Sequence, residues 1–207
     1  MSACDFHTHH RSGLRPELIS APHKAGEGLF SLEIHPWQLP ERFILPETYA
    51  LQKSLLQFNA LGEVGLDRLH GPDLEVQMQY LKSFLTLARE CRKPVIFHVV
   101  RAWPELFSII SEFPGLRWAV HGFRHSPELL DELWKRGATV SFHRSLIHNP
   151  ALLAELKAPQ GKFGFESDDL PDCPLEDIAA EAMDKSGNPD LLNLSTAAFM
   201  EFVNDAG

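Results

Sequence analysis

Residues 58–98 read FNALGEVGLDRLHGPDLEVQMQYLKSFLTLARECRKPVIFH. Two short apolar runs, Phe58–Glu63 and Pro94–Val99, have the length and composition of strands. Between them, from about Asp73 to Arg92, Gln77, Tyr80, Leu81, Phe84, Leu85 and Ala88 recur at spacings of three and four. That stripe predicts a helix that buries one face. Strand, helix, strand in this order is the repeating unit of a parallel sheet.

The same alternation runs outward in both directions. Candidate strands precede it at Ala3–Thr8, Glu17–Ala21 and Leu29–His35, and follow it at Arg117–His121, Ala138–Phe142 and Lys162–Glu166. Ser126-Pro127 is an N-cap followed by proline at the first helical position, and that helix should stop before Gly137. Asn149-Pro150 and Asn188-Pro189 give the same start signal for two later helices. Eight strands alternating with helices predict an α/β protein with a TIM-like (β/α) barrel. At 207 residues the barrel is a trimmed one, expected to form a single domain over residues 1–207. The link from Ala21 to Leu29 is too short for a crossover helix, so the second strand and its crossover should be irregular.

Hydrophobic content of 44% and charged content of 23% are those of an ordinary globular protein. The start, Met1-Ser2-Ala3-Cys4-Asp5, lacks the basic-then-apolar run of a secretory signal, and no apolar stretch reaches the roughly 18 residues needed to span a bilayer. Cys4, Cys91 and Cys173 are odd in number and lack metal-finger spacing, which reads as reduced thiols in a cytoplasmic protein. No association with a membrane and no obligate protein partner is expected. The net charge of −9 weighs against a broad electropositive surface for nucleic acid. Eleven histidines, in contrast, point toward metal chemistry.

In Asp5-Phe6-His7-Thr8-His9, strand alternation sends Asp5, His7 and His9 to one face and Phe6 and Thr8 to the other. Two imidazoles two residues apart near the end of a strand are a natural ligand pair for one cation. Glu63, His98 and His121 each end a candidate strand, and Asp168 follows Phe163-Gly164-Phe165-Glu166-Ser167. The carboxyl ends of barrel strands converge where active sites of this architecture sit. Each residue alone also reads as a solvated or capping side chain; the set of six reads as a metal site. His35, in His35-Pro36-Trp37, and Arg101 are candidates for substrate contact, against the plainer readings of a turn histidine and a surface arginine. His143 is the best of the remaining histidines, which are expected not to be ligands.

Taken in order, Asp5–His9, Ile34-His35-Pro36, Gly62-Glu63-Val64-Gly65-Leu66-Asp67, Pro94–His98, Val120-His121-Gly122-Phe123 and Glu166-Ser167-Asp168 with Pro171 resemble the TatD-related deoxyribonucleases of the amidohydrolase superfamily. Asn193 and Phe199 resemble that family's closing helix. The resemblance implies a TIM-like barrel and two divalent ions (zinc, manganese or magnesium). One would be held by His7, His9, Glu63 and Asp168, the other by Glu63, His98 and His121, with Glu63 bridging and His35 near a substrate phosphate. It implies DNA or a small phosphoester as substrate. Departures fall at substrate-facing positions. Glu33 replaces the glycine before the His-Pro motif, and Val100 stands where an arginine is expected, with Arg101 one place later. Gly122-Phe123-Arg124-His125 replaces a Cys-Phe-Ser-Gly, and Glu166-Ser167-Asp168 a Glu-Thr-Asp.

Paired cations about 4 Å apart suit phosphodiester hydrolysis because they acidify water and neutralise charge developing on phosphoryl oxygens. Glu63, with two oxygens to share, and Asp168, able to orient the attacking water or take its proton, are the expected catalytic residues. Two other readings stay open on the sequence: a hydrolase of a small phosphoester, amide or lactone on the same site, and a barrel that binds without turnover.

Overall fold

The computed structural model describes residues 3–23 and 26–204. Eight strands, β1 (Asp5–Thr8), β2 (Glu17–Ala21), β3 (Leu29–Leu32), β4 (Ala60–Asp67), β5 (Val95–Val100), β6 (Trp118–Val120), β7 (Thr139–Phe142) and β8 (Phe163–Phe165), follow one another around a closed parallel barrel. The helices are α1 (Thr48–Leu55), α2 (Leu74–Glu90), α3 (Trp103–Ile110), α4 (Pro127–Lys135), α5 (Pro150–Glu155), α6 (Leu175–Ser186) and α7 (Leu191–Val203). The expected trimming is at the start: β1, β2 and β3 succeed one another without an intervening helix among the described residues. Short 3-10 turns occupy Pro36–Gln38 and Arg144–His148.

Two compact units divide the contacts. Among the described residues, one comprises those up to Ile19 together with Ala119–Asn204, and the other those from Ser20 to Trp118. In the second unit, α2 lays Tyr80, Leu81, Phe84, Leu85 and Ala88 inward, as the stripe predicts, with Leu87 added. Burying such a side chain contributes about 1.5–3 kcal/mol for the larger ones. Gln77, on the same stripe, is 1% exposed, and its amide binds the backbone on both sides of Asp67: Oε1 accepts from Asp67 N and Nε2 donates to Asp67 O, both at 2.8 Å. A polar residue at a core position is stable here because it replaces the ladder that β4 loses at its end.

β4 runs four residues past the expected stop at Glu63. Its extension is possible because Gly65 lies directly beside His98 in the β4–β5 register, with φ +158°. A Cβ there would stand 1.9 Å from the His98 carbonyl oxygen, so only glycine permits this approach.

In the first unit, Phe6 is fully buried and packs on Phe199 and Phe202 of α7, with ring centroids 6.0 and 4.9 Å away. Asp5 and His7, on alternate positions, are also buried, as alternation requires. Ser126 caps α4 by accepting from Leu129 N at 3.5 Å, and Asn149 caps α5 by accepting from Leu152 N at 3.2 Å. Asn188-Pro189 departs from expectation. Asn188 Oδ1 accepts from Asp190 N and its Nδ2 donates to Leu156 O, so α7 begins two residues later, at Leu191. No helix among the described residues is long and apolar enough to cross a membrane.

Candidate metal centre

In the second unit, Glu63 and His98 lie inside β4 and β5, and His35 follows β3. His98 Nδ1 is 3.3 Å and His35 Nε2 3.7 Å from Glu63 Oε2. The three residues offer donor atoms all within 4.8 Å of one another. Glu63 is 3% exposed. His35 is held by its own turn, where Nδ1 accepts from Trp37 N at 3.3 Å while Pro36 fixes the helical start. That leaves Nε2 directed at the carboxylate.

Asp67 lies behind His98. Its Oδ2 is 3.4 Å from His98 Nε2 and accepts from Trp37 Nε1 at 2.6 Å. Oδ1 accepts from the backbone N–H groups of Leu69 and His70, at 2.7 and 3.2 Å. Burial pushes this carboxyl up, but the N–H donors of Trp37 and Leu69 and the adjacent His98 prevail and hold it below the usual carboxylate range. His98 therefore presents one ring nitrogen to Glu63 and the other to an ionised carboxylate, which fixes its ring and its tautomer.

In the first unit, His7, His121 and Asp168 likewise offer donor atoms within 4.8 Å of one another. His7 Nε2 and His9 Nε2 each lie 3.8 Å from Asp168 Oδ1, and the His7 and His121 rings are 4.6 Å apart. β1 carries His7, His121 follows β6 and Asp168 follows β8. Asp168 adopts φ +56°, and the chain there is secured by Asp168 N donating to His7 O and His9 N donating to Asp168 O. Asp5 anchors the adjoining turn, its two oxygens accepting from Ser167 N and Ser167 Oγ at 3.0 and 2.6 Å. Burial raises the Asp5 carboxyl to about 6 despite these bonds.

Glu166 stands behind His121 as Asp67 stands behind His98. Its Oε1 is 3.8 Å from His121 Nδ1 and accepts from Gly122 N at 2.6 Å, while Oε2 accepts from Ser141 Oγ. Complete burial drives this carboxyl up to about 8, with His121 opposing and Asp168 reinforcing the shift.

The donor set fits a divalent cation. Separations of 3.3–3.8 Å are long for hydrogen bonds. The His98–Glu63 separation matches the edge between two ligands bound at about 2.0–2.2 Å to a tetrahedral ion, roughly 3.3–3.6 Å, and the others lie just beyond it. Imidazole with carboxylate suits zinc, manganese or iron better than an all-oxygen magnesium shell.

A family model described as TatD related DNase matches residues 15–180. The chain belongs to that family. The match reaches Glu63, His98, His121 and Asp168, while His7 and His9 precede it. Among solved structures, the TatD homologue YjjV of Escherichia coli K12 superposes with a TM-score of 0.70 at 19% identity, covering 91% of this chain and 86% of the other. A hydrolase TatD family protein of Entamoeba histolytica does so at 0.69 and 16%, covering 90% and 84%. Both share the TatD barrel. No curated protein matches the chain.

Every histidine and carboxylate expected as a ligand thus lies in one of the two groups or beside it. His9, 31% exposed in its side chain, sits at the edge of the first. The resemblance allots His121 to the ion shared with His98, whereas its ring lies against that of His7. Arg101, the other residue expected at the substrate, is exposed one position past β5 with φ +54°, and its carbonyl accepts from Arg68 Nε at 2.9 Å. Sequence reasoning missed Asp67, Glu166 and Trp37. Asp67 was within reach of it: Glu63, Gly65 and Asp67 are alternate positions of one strand, once that strand is allowed to continue.

Proposed function

We propose that the chain is a metal-dependent phosphodiesterase of the deoxyribonuclease type, a single catalytic domain acting through two divalent cations. His7, His9 and Asp168, with His121 beside them, would hold one ion, and Glu63 with His98 the other. The observation that carries this reading is the 3% exposed Glu63 carboxylate facing His98 Nδ1 at 3.3 Å while the other nitrogen of that ring is turned to the ionised Asp67. Two acceptors set face to face are what a bound cation reconciles.

When bound, the ions supply an acidified water and Lewis-acid stabilisation of the phosphoryl oxygens. The chain's own residues do the rest. Asp168 accepts the proton of the attacking water or orients it. His35, tethered by the Trp37 N–H, presents Nε2 to the substrate phosphate. Asp67, by holding His98 Nε2, keeps Nδ1 aimed at Glu63. DNA is the substrate the family's description favours. A small phosphoester is the second reading, favoured by the net charge of −9.

The test is metal analysis of the purified protein, with a screen of labelled single-stranded DNA, duplex DNA and a generic phosphodiester. Uptake of two equivalents and cleavage of a DNA substrate support the proposal. Turnover of the generic diester alone favours the small-substrate reading. No uptake and no turnover overturn both.

A further inference from the structure

The end of β5 remote from His98 carries a different set of charges. Arg89 lies in the last turn of α2, Arg92 and Lys93 follow its cap at Cys91, and Arg117 immediately precedes β6. Val95 N donates to Arg117 O at 3.0 Å, which brings the starts of β5 and β6, and with them the four cations, together. With the turn at residues 114–116 they line a cavity of about 190 Å³, and among the described residues no carboxylate lines it. In a chain of net charge −9 this is a local excess of positive charge. Phe113 orients Arg89, whose guanidinium lies 5.1 Å from the ring centroid. Arg89 and Arg92 are exposed, and among the described residues neither forms an ion pair.

The end of α2 does not need these side chains as caps. Leu87 O, Ala88 O and Arg89 O accept from the N–H groups of Cys91, Lys93 and Arg92, at 2.9, 2.8 and 3.2 Å. The backbone thus satisfies the last carbonyls by itself, in a pattern that usually closes on glycine. Arg92 occupies the glycine place, with φ +55°. A side chain in that left-handed conformation costs stability that glycine would not. Cations near this end also complement the helix dipole. That accounts for charge on α2 and its cap, but not for Arg117, which another segment contributes.

We propose that this cavity binds inorganic phosphate, at a site separate from the metal centre and independent of the phosphodiesterase reading. Guanidinium forks match the oxygens of such an ion two at a time, and the compact ammonium of Lys93 adds charge without demanding one geometry. Four cations around one small space repel one another, and a multivalent anion removes that cost. Size selects the occupant. Sites for drug-sized ligands span about 300–1,000 Å³, so 190 Å³ suits an ion with its waters rather than a larger molecule. Lys93 precedes His98 by five residues of nearly extended chain, about 16 Å at the rise of a strand, so an ion held here does not meet the His98 ring.

The test is isothermal calorimetry of the full chain with inorganic phosphate, against chloride at matched ionic strength. Wild type and variants are given the same metal content, so phosphate taken up at the metal centre is common to all of them. The double variant Arg89→Gln/Arg92→Gly should lose phosphate affinity at one site by about tenfold or more, the loss expected for removing charge-assisted hydrogen bonds. Arg92→Gly alone should lose part of that affinity. It should nevertheless melt no lower than wild type in phosphate-free buffer, because glycine relieves the left-handed turn. Arg92→Lys should keep more affinity than Arg92→Gly. Added phosphate should raise the melting temperature of wild type more than that of the double variant. Equal phosphate affinity in wild type and double variant overturns the proposal, whether or not any phosphodiester is cleaved. Unchanged affinity in Arg92→Gly with a lowered melting temperature assigns Arg92 to the turn and overturns it as well. Weakened retention of duplex DNA by the double variant, with phosphate binding intact, gives the patch to a polymer backbone and overturns the small-anion site.

Discussion

Asp67 and Glu166 occupy matching places, each a buried carboxylate behind a histidine of its own unit, yet the protein treats them in opposite ways. Asp67 meets four donors: the indole of Trp37, two backbone N–H groups of its own turn and the His98 ring. Glu166 is sealed more completely and meets fewer, with Gly122 N and Ser141 Oγ as its donors and His121 at a longer 3.8 Å. One carboxyl is held below its ordinary range and the other is driven up to about 8. Depth of burial and the donors aimed at a group decide its charge together: the more deeply sealed carboxyl, with fewer donors, is driven up, and the other is held down. Around neutral pH, Asp67 is a permanent anion steering His98, and Glu166 in the metal-free protein carries a proton.

The largest expected effect tests whether both halves serve one reaction. Glu63→Ala and Asp168→Ala should each lower hydrolysis by on the order of 10²–10⁴-fold while circular dichroism stays native. Near-full activity in either variant, measured on metal-loaded protein, would sink the shared mechanism. Next comes the contact that brings Asp67 to His98. Gly65→Ala should destabilise the protein by about 3 kcal/mol or more, because a Cβ collides with the His98 carbonyl and the residue must also keep an unfavourable φ. Denaturant unfolding reads this directly, and a change under about 1 kcal/mol would mean that β4 and β5 tolerate separation.

Asp67→Asn should cost roughly 10- to 100-fold in metal affinity, since an amide no longer matches the tautomer His98 needs. The smallest change is expected of Glu166→Gln, which mimics the protonated acid: metal affinity and activity should fall by less than about tenfold. Equal losses in the two variants would erase the distinction drawn above. Metal-free stability provides an independent check. The folded pKa of Glu166, about 8, lies above the ordinary value of 4.5, so the folded state keeps a proton that the unfolded chain releases. That contribution is complete below pH 4.5 and is lost as pH rises through 8, by at most about 1.4 kcal/mol per pH unit. Glu166→Gln should flatten this slope in thermal melts taken across that window; an unchanged slope would assign it to other groups.

The fold was legible because its signals are local. The α2 stripe, the Ser126 and Asn149 caps and the alternation of Asp5, Phe6 and His7 each depend on neighbours a few residues away, and each appears as read. The end of β4 was not legible. Nothing within residues 60–67 announces that the backbone of β5, some 30 residues on, lies close enough to require glycine at position 65. Asn188-Pro189 misled for a similar reason: its side chain is claimed by Leu156 O from a distant loop, and the helix starts later.

By itself, then, the sequence determined the strand-and-helix order, the barrel class and the histidines and carboxylates from which a metal site can be made, since these follow from periodicity and donor chemistry. Tertiary structure decided which of them face one another. It placed His98 between Glu63 and Asp67, set Glu166 behind His121 and gave those two carboxyls opposite charge states. Such outcomes depend on separations of a few ångströms between strands, and on how many N–H groups other segments direct at one oxygen, which no local pattern encodes.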